Sequence, residues 1–377
     1  MPRWIAIYLV PGAVLQSVMV GGGYGTGREA VEFFTCFGAG GGLLGTAVAT
    51  LCVAVVFALS LELARSHHAY DYRSFFKVLL GRWWVAYEVL LVALIMLVLA
   101  VLGAAAGDAL ESQFGIDARF GTVLMLVAVT TLTFFGRDVV TALLTWWSVA
   151  LYLVFGSYLV AVLLDAGEVV TARLAIFETK DGWFVSSLQY VFYNVTAVPL
   201  VLFAARAIET RRQAFGAGVI GAVIAVLPAV ALHVSFVAGL PEIIDASLPV
   251  QRMLDGLGIE LLTLAYLLIL VGTCVETGIG DLQGVIERLD ARWIERTGRA
   301  LRPAIHGVVA AGAMLTAGAL SLVGVVTLIA DGYGTLSWGF LLTYVLPLLT
   351  IGVWRIFTGA RDDGVDARSP DEVAVSG

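Results

Sequence analysis

The densest cluster of chemically usable groups is the run Gly21-Gly22-Gly23-Tyr24-Gly25-Thr26-Gly27-Arg28-Glu29, followed by Glu32-Phe33-Phe34. Five of the seven residues from 21 to 27 are glycine, and each costs about 1 kcal/mol relative to alanine inside a helix. The flanking sequence is apolar, so the run falls at membrane depth, where unpaired backbone is tolerated only if it is buried in protein or lines a wet cavity. A half-helix beginning near Arg28 would aim its free N–H groups and positive dipole end into the interruption. That arrangement favours an anionic group such as a solute carboxylate, which makes Gly21, Gly23, Tyr24, Gly25, Thr26 and Gly27 the expected contacts. Close helix packing is the blander explanation, but it asks for glycine every fourth residue on one face rather than a cluster covering every face.

A second interruption is expected at Tyr190 to Pro199. Pro199 removes a backbone donor and crowds the Val195 carbonyl, while Asn194 and Thr196 can satisfy the freed groups. Phe192, Tyr193, Asn194 and Thr196 therefore join the expected solute site as an aromatic wall with an amide and a hydroxyl. Ionisable residues deep in a membrane are costly and point to function. Glu276, flanked by Thr273 and Thr277, offers hard oxygen ligands suited to sodium or to a reversible proton; the structural alternative is an ion pair with a basic residue such as Arg206. Arg28, Glu29 and Glu32 are candidates for a gate or for an internal ion pair, Arg28 and Glu32 being one helical turn apart. Asp281 and His233 read as boundary residues reaching interfacial water, and Cys36, Cys52 and Cys274 as small packing residues without disulfide or zinc spacing.

These residues must be positioned by membrane helices. Of 377 residues, 60% are hydrophobic and 14% charged, against about 25% charged in soluble domains. Apolar stretches of about 20 residues recur along the chain, giving expected spans near 5–34, 41–63, 84–107, 119–136, 140–164, 184–205, 216–238, 256–286, 304–328 and 335–357. Ten spans place both termini on one side. With those termini in the cytoplasm, 17 of the 22 lysines and arginines fall on the cytoplasmic side, four fall opposite, and Arg28 lies within the first span. That asymmetry follows the positive-inside rule. Residues 1–360 are read as a single domain in the cytoplasmic (inner) membrane of a prokaryote, and 361–377 as a disordered cytoplasmic tail. Linkers 165–183 and 239–255 are expected to carry small interfacial helices.

The interruptions near residues 24 and 196 open the first and sixth spans, the corresponding members of two five-helix halves at about 5–164 and 184–357. Paired breaks of this kind point to an inverted-repeat secondary transporter with its site at the bilayer midplane. The expected fold is thus all-α integral membrane, ten transmembrane helices in a 5+5 inverted repeat, helices 1 and 6 discontinuous.

This layout resembles the leucine-transporter (LeuT) fold of the amino acid–polyamine–organocation superfamily. The motif from Gly21 to Glu29, with Glu32-Phe33-Phe34, resembles the YkvI-type group of bacterial and archaeal membrane proteins. The resemblance implies cation-coupled transport, by alternating access, of a small organic solute such as an amino acid or related carboxylate. It also implies a sodium site in which Thr273 and Thr277 act with carbonyls of Val18 to Gly21; Glu276 departs from the purely neutral ligands of the leucine transporter and leaves a proton as the alternative coupling ion.

Enzyme chemistry has no support: no His-Glu-x-x-His, no Gly-x-Ser-x-Gly and no acidic magnesium cluster occurs, and no strand precedes the glycine run to make it a dinucleotide loop. No cofactor and no nucleic-acid partner are expected; the partners are a small solute and the lipid bilayer, and the sequence is silent on oligomeric state. The competing function is a membrane sensor that keeps a transporter fold and binds its solute without moving it.

Overall fold

The structure, a computed structural model, describes residues 2–134, 137–299 and 301–358, the side chains of 137–149 and 303 excepted. The tail expected at 361–377 lies outside the described residues. The described residues contain no strand. In chain order the helices are α1 (Arg3–Tyr8), α2 (Val10–Met19), α3 (Gly22–Gly25), α4 (Arg28–Phe33), α5 (Gly38–His67), α6 (Tyr72–Leu80), α7 (Trp84–Phe114) and α8 (Ala118–Phe134). They continue with α9 (Arg137–Ile176), α10 (Trp183–Asn194), two short 3-10 segments (Val195–Leu200 and Leu202–Ala207), α11 (Arg211–Phe236), α12 (Pro249–Leu257), α13 (Glu260–Thr297) and α14 (Pro303–Ser321). The chain closes with α15 (Val325–Thr358), which includes the wide-turned segments Leu328–Tyr333, Leu341–Val345 and Leu348–Gly352.

Local sequence chemistry sets the element ends. Asp71 caps α6 by accepting from the amides of Arg73 and Ser74 at 3.0 and 2.9 Å, and Thr210 with Gln213 forms a reciprocal capping box at the start of α11. Pro249 and Pro303 stand in the first turns of α12 and α14, where their missing N–H costs nothing. Among the described residues, seven stretches are long and apolar enough to cross a membrane, and α2 and α8 are shorter apolar helices. Large apolar side chains such as Leu51, Leu153, Leu164, Leu261 and Leu315 face outward, a surface that lipid rather than water would cover.

Short helical segments occupy both linkers. The helix that begins at Arg137 breaks from helical geometry at Ala166 (φ −116°, ψ 17°), and a second helical segment runs from there to Ile176. Within 239–255 a short helix begins at Pro249 and runs to Leu257.

Backbone packs directly on backbone where α11 meets α5 and α2. A Cβ on Gly218 would lie 2.5 Å from Ala58 Cα, and one on Gly12 would lie 2.5 Å from Gly221 Cα. Bare backbones in contact maximise dispersion between helices where no hydrophobic drive separates protein from lipid.

Candidate functional site

At the end of α2 the chain leaves helical geometry: Val20 has φ −87° and ψ 70°, and Gly21 is extended at φ −92°, ψ −172°. The chain re-enters a helix for one turn in α3, then passes through Gly27 at φ 82° into α4. Gly27 is needed on two counts: the positive φ is strained for any L side chain, and a Cβ there would lie 2.5 Å from the Phe236 ring. Thr26 joins the two turns, its Oγ1 donating to Gly23 O at 2.7 Å and accepting from Arg28 N at 3.0 Å.

These bonds change the reading of the glycine run. The Gly25 amide donates to Gly21 O, that of Thr26 to Gly23 O, and that of Gly27 to Tyr24 O. The Gly22 amide donates to Thr277 Oγ1 at 3.1 Å. The amides of Gly25, Thr26 and Gly27 are therefore spent within the run, and the expectation that they hold an anionic solute is corrected. Gly25 and Thr26 instead anchor neighbours: Gly25 O accepts from Tyr266 Oη at 3.1 Å and Thr26 O from Val250 N at 3.3 Å.

Beside this run lies a cavity of about 230 Å³. Its walls come from the α2–α3 junction (Val18, Met19 and Gly21 to Tyr24), Glu29 of α4, one face of α7 from Leu91 to Val98, and Tyr193 of α10 with Asn194, Thr196, Ala197 and Leu200 behind it. Thr277, Gly280, Asp281, Gly284 and Arg288 of α13 and Tyr333 of α15 complete it. Asn194 Nδ2 donates to Tyr190 O at 3.1 Å and Thr196 Oγ1 to Tyr193 O at 2.5 Å, while Tyr87 Oη donates to Thr196 O at 3.2 Å. Phe192 is absent from these walls; its ring packs toward Trp338, centroids 6.0 Å apart.

The same periodicity corrects the helix carrying Glu276. Thr277, Asp281, Gly284 and Arg288 recur at spacings of four, three and four and form one stripe toward the cavity, whereas Glu276 is rotated off it, half-buried and outside the lining. Thr273 is buried and donates from Oγ1 to Ile269 O at 2.8 Å, also outside the lining. Asp281, expected at an interface, instead faces the cavity with a buried Oδ2 that has no hydrogen-bond partner among the described residues. His233 is likewise no interfacial residue: it is fully buried, its ring nitrogens within 3.0 Å of Thr35 Oγ1 and of Ala39 O.

The three candidates at the start of α4 separate by direction. Arg28, only 3% exposed, pairs with Glu32 and donates to the carbonyls of Ile244 and Ala246, the latter at 3.3 Å. Together with Gly27 against Phe236 and Val250, this closes the chain segment 244–250 over α4. Glu29 points the other way, into the cavity, where Tyr193 Oη donates to its Oε2. The cavity extends from Glu29 away from that closure, toward Gly284 and Arg288.

No family model matches the chain. It is 24% identical over 333 residues, 85% of this chain and 89% of the other, to the uncharacterized membrane protein YkvI of Bacillus subtilis (strain 168). Among solved structures it resembles a Na+-coupled sialic acid symporter in a substrate-bound outward-open state, with a TM-score of 0.57, 14% identity, and 91% of this chain and 79% of that one covered. It also resembles the manganese transporter of Eremococcus coleocola, with a TM-score of 0.52, 13% identity, and coverage of 92% and 78%. The chain is thus similar to YkvI and has a LeuT-type fold. These neighbours are transport proteins rather than enzymes.

Sequence reasoning missed Asp281, Arg288 and Tyr333 as cavity residues. A signal for the first was present: Gly280 and Gly284 flank Asp281 on the stripe begun by Thr277, and small residues along one helix face leave room beside a carboxylate.

Proposed function

We propose that this YkvI-like chain is a cation-coupled secondary transporter of a small organic solute, an amino acid or related molecule being the leading candidate. The solute occupies the cavity between the glycine run, Tyr193 and the Thr277–Asp281 stripe. The observation that carries the reading is this cavity: it lies beside two helices that change course, it is lined by the carboxylates of Glu29 and Asp281, and the neighbouring Arg28 ties α4 to the segment at Ile244. A site closed toward one side and extending toward the other is what alternating access requires.

In this reading the chain crosses the membrane ten times: by α2 to α4 together, by α5, α7, α8 and α9, by the segment from Trp183 to Ala207, and by α11, α13, α14 and α15. The crossings form two oppositely oriented halves with both termini cytoplasmic. The lysine and arginine distribution supports that orientation, in which Arg28 closes the outer side and the cavity leads inward past Arg288. Thr277, linked to the Gly22 amide, and Asp281 are the coupling groups, with Na+ or H+ as the ion; the role first given to Glu276 passes to Asp281.

Uptake into proteoliposomes under imposed sodium and proton gradients, with a panel of amino acids, amines and carboxylates, tests the proposal. Gradient-driven accumulation is expected, and Asp281→Asn should abolish the gradient dependence while sparing exchange across the membrane. Solute binding without any flux or exchange would refute transport and leave a sensor.

A further inference from the structure

At the end of the bundle where α7 begins, arginines gather around tryptophans. The Arg73 guanidinium lies 4.9 Å and that of Arg292 5.3 Å from the Trp84 ring centroid, and Arg82 lies 5.6 Å from that of Trp83. Trp83 and Trp293 are 66% and 45% exposed, and exposed tryptophans at the ends of membrane helices mark the headgroup level of a bilayer. Between α7 and α13 at this level lies a second cavity, of about 280 Å³, with Val92, Val285 and Leu289 as its apolar wall and Glu88, Arg288 and Arg292 as its polar one. Val285, Arg288, Leu289 and Arg292 recur at spacings of three, one and three, so a single face of α13 supplies all four. Val89, also in the lining, is 62% exposed; the cavity therefore opens on the apolar outer face that lipid covers.

Charge in this cavity is not balanced. Glu88 accepts from Tyr72 Oη at 3.3 Å, and its other oxygen stands 3.9 Å from Arg292 Nη2, beyond hydrogen-bond range. Arg288 lies over the Tyr72 ring, 5.1 Å from its centroid. Of the other carboxylates nearby, Glu295 is spent on Arg73 and Asp281 faces the solute cavity. Among the described residues Arg288 Nε and Arg292 Nη2 have no hydrogen-bond partner, so two incompletely satisfied guanidinium groups share one carboxylate. Two cations beside an apolar wall at headgroup level are complementary to a lipid phosphate. We infer that this cavity binds the headgroup of an anionic membrane phospholipid, with its phosphate on Arg288 and Arg292 and its acyl chains along the exposed face beside Val89. A choline or ethanolamine headgroup would bring its own positive charge against the arginines, so a headgroup such as glycerol is the fitting kind. Arg288 also lines the end of the solute cavity remote from Glu29, which places the lipid at that cavity's mouth. The site is filled from the bilayer and does not depend on the chain's being a transporter.

The test is lipid binding to the full chain purified in a neutral detergent, counted by native mass spectrometry and read independently by ligand-induced thermal stabilisation. The probes are phosphatidylglycerol and phosphatidylcholine with identical acyl chains, and sn-glycerol 3-phosphate as a headgroup without chains. Phosphatidylglycerol is expected to bind at least about tenfold more tightly than phosphatidylcholine, and Arg288→Gln combined with Arg292→Gln to remove that preference. Arg296→Gln combined with Arg299→Gln takes the same charge from exposed residues at the same end of α13 and should leave the preference in place. Val89→Trp puts a bulky ring at the rim and keeps both arginines; it should weaken phosphatidylglycerol at least about fivefold, and it decides the matter if the double variant at 288 and 292 does not fold. Equal binding of the two lipids overturns the proposal, as does a preference that survives the loss of Arg288 and Arg292 or falls equally with Arg296 and Arg299. Displacement of the lipid by an equal concentration of sn-glycerol 3-phosphate would overturn it in favour of a soluble phosphate ester. A dimer that Val89→Trp dissolves, with no lipid bound, would overturn it in favour of a second copy of the chain.

Discussion

Replacing Gly22 by alanine drives a methyl group into α13. The new Cβ would stand 2.7 Å from Cys274 Cα, 2.9 Å from Cys274 Sγ and 2.6 Å from Leu102 Cδ2, where carbon atoms settle at about 3.5–4.0 Å. The Leu102 methyl can swing aside, but the Cys274 Cα cannot, so α3 and α13 must part by roughly 1 Å. A parting of that size also stretches the 3.1 Å bond from Gly22 N to Thr277 Oγ1 beyond hydrogen-bond range. Overpacking at about 1–3 kcal/mol and the lost bond at about 0.5–1.5 kcal/mol together give a destabilisation of roughly 1.5–4.5 kcal/mol. Thermal unfolding of the purified protein should therefore fall by several degrees, and solute binding should fall with it because Gly21, Gly22 and Thr277 all line the cavity. Gly312→Ala is the matched control: it is a helical glycine with nothing within 4 Å of the added Cβ, and it should leave stability unchanged or raise it by up to about 1 kcal/mol. A Gly22→Ala protein that melts and binds like the control would refute the reasoning. So would full rescue by adding Cys274→Ala, since that would make the side chain rather than the backbone the obstacle.

Two further outcomes follow from the packing. Gly218→Ala places a Cβ 2.5–2.6 Å from the Cα, Cβ and N of Ala58; it should cost about 1–3 kcal/mol by forcing α11 off α5, visible as a lower melting temperature with the binding site's chemistry untouched. Arg28→Ala removes a charged donor from two carbonyls and from Glu32, whose side chain keeps 26% exposure and so stays partly hydrated; a loss of about 1.5–3 kcal/mol is expected. It should also raise labelling of Cys36, whose Sγ donates to Glu32 O at 3.0 Å, by a membrane-impermeant maleimide added from outside, in a background where Cys36 is the sole cysteine. Unchanged labelling would remove Arg28 from the closure.

The all-helical membrane character was legible because it rests on apolar runs that need no tertiary information, and the resemblance to YkvI because it rests on a compact motif from Gly21 to Phe34. Side-chain direction was not legible. Glu276 and Asp281 are both carboxylates in one apolar helix, and only the rotation of α13 within the bundle decides which meets the cavity. The rotation of α10 likewise separates Phe192 from Tyr193, and that of α4 separates Arg28 and Glu32 from Glu29. The spending of the Gly25 to Gly27 amides was hidden for another reason: a glycine run announces freedom of backbone but not whether its own carbonyls will come round to meet its amides.

The partners of Arg28 in the segment 244–246 are main-chain oxygens. Every residue type supplies a carbonyl, so no replacement of a side chain at those two positions deletes the acceptor, and no change of acidity strips it of charge. Side chains at those positions can therefore be exchanged freely, and the arginine still finds its hold. Insertions and deletions, which displace the carbonyls bodily, are the changes that this contact should not tolerate.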